Sequence, residues 1–314
     1  MKRKLLLTSL ALAQAMFSTC QTKAQPAAKP NPLAFVAAGT NGLTFDTGVL
    51  RGQLRADGKA KGLSAVVHVP SGVTISRGMG LFGHYRVFTA NNRYGTGAWD
   101  WPGEAKLQPD GSVVARWPAT DARPFELCAT YRLAAPNALD VITTVQAKTN
   151  LTNFESFLAS YFAEGFTNSL AYVAELPDKP GGAGFLAAEP KFGKWLMFPR
   201  DDTALAIFRD GRWTIAPSPV EWVQMQRLAR SLGIRRDPTT GLTAVIMAPP
   251  ADAFGLCTPE QTEGHYSMYV SLFGRDVRAG ETAHARARLL IAERLTDAEA
   301  LKAYATYLEQ SGEK

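Results

Sequence analysis

Thiols are scarce in this chain, with Cys20, Cys128 and Cys257 the only three cysteines in 314 residues. A zinc ribbon or finger needs more thiols at closer spacing, so that class is excluded. Imidazoles are almost as few: His68, His84, His265 and His284 are the whole set, and any histidine chemistry must draw on them. The chain also lacks a Gly-x-Ser-x-Gly elbow and a phosphate-cradling glycine loop ahead of a helix. Serine-based acyl transfer and nucleotide use are therefore not expected. No cofactor and no resident metal are expected.

Long apolar runs are missing too. The one near the N-terminus, Leu5 to Ala13, follows the basic Met1-Lys2-Arg3-Lys4 and is too short to span a bilayer. Residues 1–24 read as a secretory signal peptide, cleaved after Ala24 in preference to Ala15. The protein is expected to be exported, periplasmic or secreted, with a lipoprotein through Cys20 the lesser alternative. Removing residues 1–24 takes away Lys2, Arg3, Lys4 and Lys23 and no acid, so the formal charge falls from +6 to +2. With no basic run in the remainder, nucleic acid is not an expected partner. Cys128 and Cys257 then remain, and in an exported protein one disulfide between them is permitted but not required.

Residues 25–32, rich in Pro, Ala and Lys, read as a flexible spacer, and 33–314 as one domain. Turn signals such as Asp57-Gly58, Asp110-Gly111 and Ala279-Gly280 punctuate that domain about every ten to fifteen residues, which is an all-β rhythm. Phe125, Leu127, Ala129, Tyr131 and Leu133 alternate with polar or small residues, as in a half-buried strand. Strands are also expected at 65–69, 140–145, 266–273 and 283–292, and a hairpin at 205–215 turning on Asp210-Gly211. The window Trp222 to Gly233 fits either a helix or an irregular strand. Thr296-Asp297-Ala298-Glu299 is a capping box, so a C-terminal helix is expected over 297–310.

Against that background one stretch stands out, Gly83 to Pro102, which gathers His84, Tyr85, Arg86, Asn91, Asn92, Arg93, Tyr94, Trp99, Asp100 and Trp101 among glycines. Aromatic faces beside fixed donors and acceptors suit a sugar ring. A loop here is expected to bind carbohydrate through Arg86, Asn92, Arg93, Trp99, Asp100 and Trp101. The competing reading makes Trp99, Trp101, Tyr85 and Phe88 ordinary core residues. For chemistry the candidates are His84, Glu263 and His265: if Glu263-Gly264-His265 is extended, its first and third side chains share a face. An imidazole and a carboxylate at one site can act as acid and base. A zinc site built from the same three residues is a rival, and His68 and His284 read as structural.

The segments Tyr131-Arg132-Leu133-Ala134-Ala135-Pro136-Asn137-Ala138-Leu139-Asp140 and Asn153-Phe154-Glu155-Ser156-Phe157-Leu158-Ala159-Ser160-Tyr161-Phe162 resemble the middle of a galactose mutarotase-like domain. Ser271 to Asp276, Ala279-Gly280-Glu281-Thr282 and Arg286 to Leu289 are similar to its closing strands. The resemblance implies a large antiparallel β-supersandwich with a carbohydrate-binding face. Relatives of that kind include aldose 1-epimerases and domains attached to glycoside hydrolases and polysaccharide lyases. In the epimerases a His acts as acid and a Glu as base, beside an Asn-x-Arg segment to which Asn91-Asn92-Arg93 is similar. One departure is plain: no His lies between residues 85 and 264, so the epimerases' second His has no counterpart. The expected function is that of a carbohydrate-active protein, an epimerase, lyase or glycosidase. The alternatives are a non-catalytic glycan-binding protein and a zinc-dependent enzyme.

Overall fold

The computed structural model describes residues 33–40, 42–55 and 62–312. The leader at 1–24 and the spacer at 25–32 lie outside them. Within the described residues the chain forms three sheets, of five, nine and seven strands. The nine-stranded sheet runs, edge to edge, Gly184–Ala187, Asn168–Val173, Leu228–Arg236, Leu242–Met247, Thr282–Glu293, Ala138–Ala147, Phe125–Ala135, Val113–Trp117 and Glu104–Leu107. The seven-stranded sheet runs Val223–Gln224, Trp195–Pro199, Ala253–Pro259, Ser267–Val277, Leu151–Tyr161, Gly83–Thr89 and Asn92–Arg93. Neighbours in both are antiparallel, apart from the short parallel pair at Trp195–Pro199 and Val223–Gln224. This is the all-β supersandwich expected from the sequence.

Alternation drives the packing of the large sheets. Phe125, Leu127, Ala129, Tyr131 and Leu133 are all buried, while the residues between them are partly exposed. Their buried face meets Phe154, Leu158, Val270 and Leu272 of the seven-stranded sheet in one continuous core. The N-terminal five-stranded sheet, Val36–Ala38 to Val73–Thr74, adds Phe45, Leu50, Leu54 and Val66 to it. Two apolar faces pressed together in this way exclude water from both, the main favourable term in the fold.

The strand Leu151–Tyr161 behaves differently, being buried on both faces from Phe154 onward. Phe154 and Leu158 enter the main core, whereas Phe157, Ala159 and Tyr161 enter a second cluster on the outer side of the sheet. A strand buried on both faces needs a cover. Residues 201–222 supply it: helix α1 (Asp202–Phe208), a 3-10 turn (Arg212–Thr214) and a loop ending at Trp222. The hairpin expected over 205–215 is therefore absent. Asp201 caps α1 by accepting from the Ala204 amide at 2.8 Å, and Ala204, Ile207 and Phe208 bury one helical face. Here helical spacing with an N-cap wins over the Asp-Gly turn signal. The Asp210 carboxylate turns to Arg212 instead of closing two strands.

Arg212 ties this cover to the sheet. Its guanidinium reaches Glu155 at 2.9 Å, Asp210 at 2.8 Å and the Asn153 carbonyl at 3.0 Å, with both Arg212 and Glu155 fully buried. Burial pushes the Glu155 carboxyl pKa upward, and Arg212 pulls it back.

The ambiguous window from Trp222 resolves as strand, Val223–Gln224 followed by Leu228–Arg236. Gly233, the end of that window, sits mid-strand, and glycine is needed there because a Cβ would lie 2.5 Å from Met268 Sδ and 2.6 Å from Leu256 Cδ1. The stretch from Gly83, expected as a loop, opens with the strand Gly83–Thr89 and continues into Asn92–Arg93 and a 3-10 turn at Ala98–Asp100. Helix α2 (Asp297–Gln310) carries the complete Thr296–Glu299 capping box. It lays Ala300, Tyr304 and Tyr307 on the outer face of the nine-stranded sheet. Cys128 and Cys257 are both free thiols.

Arg212→Met strands Glu155 as an uncompensated buried charge and is expected to cost about 3–5 kcal/mol in denaturant unfolding. Glu155→Leu combined with Arg212→Met should recover much of that loss; a double variant no more stable than Arg212→Met would show that the loss does not come from the stranded charge.

Candidate functional site

A register irregularity creates the site. Ser156 pairs with Val87 and Leu158 with His84, so Tyr85 and Arg86 together oppose the single residue Phe157. One extra residue breaks the alternation of a strand and re-aims the side chains around it. Val87 belongs to the main core, and His84 bonds across it, whereas Phe88 packs in the outer cluster. Tyr85 and Arg86 both line a cleft on the outer side.

That cleft holds about 270 Å³. Its floor is Tyr85, Arg86, Phe157, Tyr161 and Tyr269 of the sheet, and its far wall is Trp195, Trp213 and the loop from Ser218 to Trp222. Tyr161 and His265 also line an adjoining hollow of about 570 Å³ beside Arg77 and Glu263, so the two spaces share an edge. The rings brace one another: Trp213 meets Trp222 edge-on at 5.2 Å, Phe157 stacks on Tyr269 at 4.7 Å, and Trp195 lies 5.6 Å from His265. Beneath them Trp99 stacks on Tyr85 at 4.0 Å. Gly97 makes room for that stack, because a Cβ would lie 2.9 Å from Tyr85 and 3.0 Å from Trp99.

Two further arginines hold the loop that forms the wall. Arg93 donates to the carbonyls of Gly95, Thr96, Ile215 and Pro217. Arg86 Nη2 donates to the Ser218 carbonyl at 2.8 Å, and its guanidinium lies 5.0 Å from the ring centres of both Tyr85 and Trp213. Burial lowers the Arg93 pKa, and the like charge of Arg86 lowers it further. Arg86 Nε and Nη1, Trp213 Nε1 and Trp222 Nε1 are buried donors without an acceptor. Burial raises the Tyr161 phenol far above its ordinary range and the Tyr269 phenol to about 12, so both stay protonated.

At the edge shared with the hollow, His265 Nδ1 lies 2.8 Å from both oxygens of Glu263. Glu263 also accepts from the His265 amide at 2.8 Å, and the Tyr266 amide donates back to the Glu263 carbonyl. The pair converges through a tight turn, not through the extended backbone expected. Glu263 is nearly buried while the His265 side chain is 54% exposed. A carboxylate at Nδ1 fixes the proton there and leaves Nε2 as the basic nitrogen.

The structure divides the other sequence candidates. His84 is fully buried inside the sandwich, its Nε2 2.8 Å from Thr143 of the opposite sheet and its ring against Trp117. The seven-stranded sheet thus separates it from Glu263 and His265, and neither the acid–base trio nor the zinc trio is brought together. Among the described residues no group of three or more His, Cys, Asp or Glu is placed to hold a metal. Arg86 lines the cleft, Arg93 only braces it, and Trp99 supports Tyr85 from below. Trp101 packs in the main core under Arg123, while Asn92 and Asp100 are exposed away from the cleft. His68 bonds to Ser71 and His284 to Thr144. Sequence reasoning missed Trp195, Trp213, Trp222, Phe157 and Tyr161. The available signal was the crowding of half the chain's six tryptophans into residues 195–222, beside Pro217 and Pro219. No helix among the described residues is long and apolar enough to cross a membrane.

No protein-family model and no curated protein matches the chain. Solved structures do. An alpha-galactosidase from Lactobacillus brevis aligns at TM-score 0.50 and 9% identity, over 88% of this chain and 42% of that one. A galactose mutarotase related enzyme from Lactobacillus acidophilus aligns at 0.48 and 8%, over 82% and 99%. Heparan sulfate lyase HepC from Pedobacter heparinus aligns at 0.45 and 8%, over 83% and 36%. At such identities the likeness is one of fold alone, and it agrees with the all-β supersandwich read from the sequence.

Burial lowers the His84 pKa from 6.5 to about 3, so the folded protein keeps this imidazole neutral while the unfolded chain protonates it. Stability should fall as pH drops from about 6.5 towards 3, by at most about 1.4 kcal/mol per pH unit for this one proton. His84→Gln should flatten that dependence in denaturant melts at pH 7, 5.5 and 4.5; parallel curves for the two proteins would remove His84 as its source.

Proposed function

We propose that this protein is an exported carbohydrate-active protein that binds a sugar or oligosaccharide in the cleft over the outer face of the seven-stranded sheet. The observation that carries the reading is the aromatic-walled cleft with unpartnered donors on Arg86, Trp213 and Trp222. Aromatic rings take the apolar face of a pyranose, and buried N–H groups that lack acceptors gain them from hydroxyl or ring oxygens. Fold likeness alone does not choose a reaction, since one fold carries many chemistries.

The Glu263–His265 pair favours catalysis over binding alone. His265 presents a basic Nε2 at the cleft edge, with the Tyr161 ring 6.3 Å away, centre to centre. An imidazole held by a carboxylate can take a proton from a bound sugar and return it, the kind of transfer that epimerisation, β-elimination or glycosidic cleavage requires. His265 is the catalytic residue in this reading, and Glu263 positions it.

Mature protein screened against a glycan panel, with reducing ends and unsaturated products both recorded, tests the activity. His265→Ala is expected to lower turnover by about 10²- to 10⁴-fold while leaving ligand affinity nearly unchanged. Binding without turnover in the wild-type protein would instead establish a glycan-binding role. Trp222→Ala should weaken sugar binding by about tenfold, the scale of one lost ring contact. Mass spectrometry of the exported product should find Gln25 as its first residue.

A further inference from the structure

We infer that the ligand is an acidic sugar whose carboxylate docks on Arg86, an inference that rests on the carbohydrate reading of the same cleft. Arg86 is only 4% exposed, yet its one direct hydrogen bond runs from Nη2 to the neutral Ser218 carbonyl. Nε and Nη1 have no partner. A buried guanidinium without a carboxylate is costly, and buried charges are ordinarily paired. Arg212, at the start of the same loop, follows that rule with Glu155 and Asp210. Arg93 bonds to four backbone carbonyls and to the Tyr85 side chain, and to no carboxylate, so it adds a second buried positive charge and offsets none.

Geometry sets the direction of approach. The rings of Tyr85 and Trp213 lie near the guanidinium, each 5.0 Å from its central carbon, and Arg86 lines the cleft between them. Nε and Nη1 lie on different edges of the guanidinium, each beside Nη2, so a planar carboxylate takes two parallel bonds from the edge that the Ser218 carbonyl leaves open, one from Nη2 and one from Nε or Nη1. The carboxylate of the neighbouring hollow is already engaged, since Glu263 holds His265 and lies 3.8 Å from Lys194. The buried side-chain polar atoms of the cleft lining that lack a partner are all donors: Arg86 Nε and Nη1, Trp213 Nε1 and Trp222 Nε1. A ligand rich in acceptors and carrying one negative charge satisfies them together, whereas a neutral sugar leaves the cation uncompensated.

Calorimetric titration of the full mature protein with three oligosaccharides tests the inference. They are a uronic-acid oligosaccharide, the same oligosaccharide with its carboxyls reduced to alcohols, and a neutral oligosaccharide bearing sulfate esters. The acidic form is expected to bind at least tenfold more tightly than its reduced form, with the advantage shrinking as salt is raised. Arg86→Gln should bring the two to equal affinity. The wild-type comparison stands even if that variant fails to fold. Equal binding of acidic and reduced forms by the wild-type protein would overturn the anionic ligand and leave the carbohydrate site intact. Preference for the sulfated form over the uronate would overturn the carboxylate. Binding of none of the three would overturn the carbohydrate reading along with it.

Discussion

Three guanidinium groups hold residues 210–222 against the outer face of the seven-stranded sheet, and the cleft exists because they do. Arg212 anchors the start of the segment through Glu155 and Asp210, Arg93 holds its middle by carbonyls, and Arg86 catches Ser218. The segment has little regular structure of its own beyond one 3-10 turn, so its backbone carbonyls need outside donors. A planar group with five N–H bonds meets that need better than a lysine ammonium, because it can serve several carbonyls at once. The wall of the cleft, Trp213 and Ser218 through Trp222, therefore depends for its position on ions set in or beside the sheet.

Those arginines also divide the two faces of the sheet between stability and function. The inner face is apolar and closed, and the one imidazole it contains, His84, is held neutral by burial. The outer face is aromatic and incompletely covered, and polar groups there keep unsatisfied bonds. The bulge at Tyr85 and Arg86 marks the division, because it sends two consecutive side chains outward where a regular strand would send one. Without it Arg86 would share the inner face with His84, and the cleft would lose its cation.

Much of the fold was legible from periodicity. The alternating strand at Phe125–Ala135, the closing strand Thr282–Glu293 and the capped helix Asp297–Gln310 follow from residue order, because each makes its pattern locally. Regions packed on both sides were harder to read. Residues 205–208 read as part of a hairpin, and the window ending at Gly233 fits helix and strand alike, since only the surrounding sheets show which neighbour each residue must accommodate. The site was half legible: Arg86 and the Glu263–His265 pair lie where they can meet a ligand, but Trp99 and Trp101 turned out to be support and core.

The sequence by itself determined the strand-rich class, the capped terminal helix and the stock of chemistry, four histidines and a few crowded tryptophans, because composition and short-range spacing suffice for these. Tertiary structure alone decided which of them share a space. A strand's alternation tells which residues lie on the same side, but one inserted residue reverses the assignment, and the insertion shows only in the pairing of Gly83–Thr89 with Leu151–Tyr161. For that reason His84 went inside, Arg86 went outside, and an aromatic wall more than a hundred residues away came to face it.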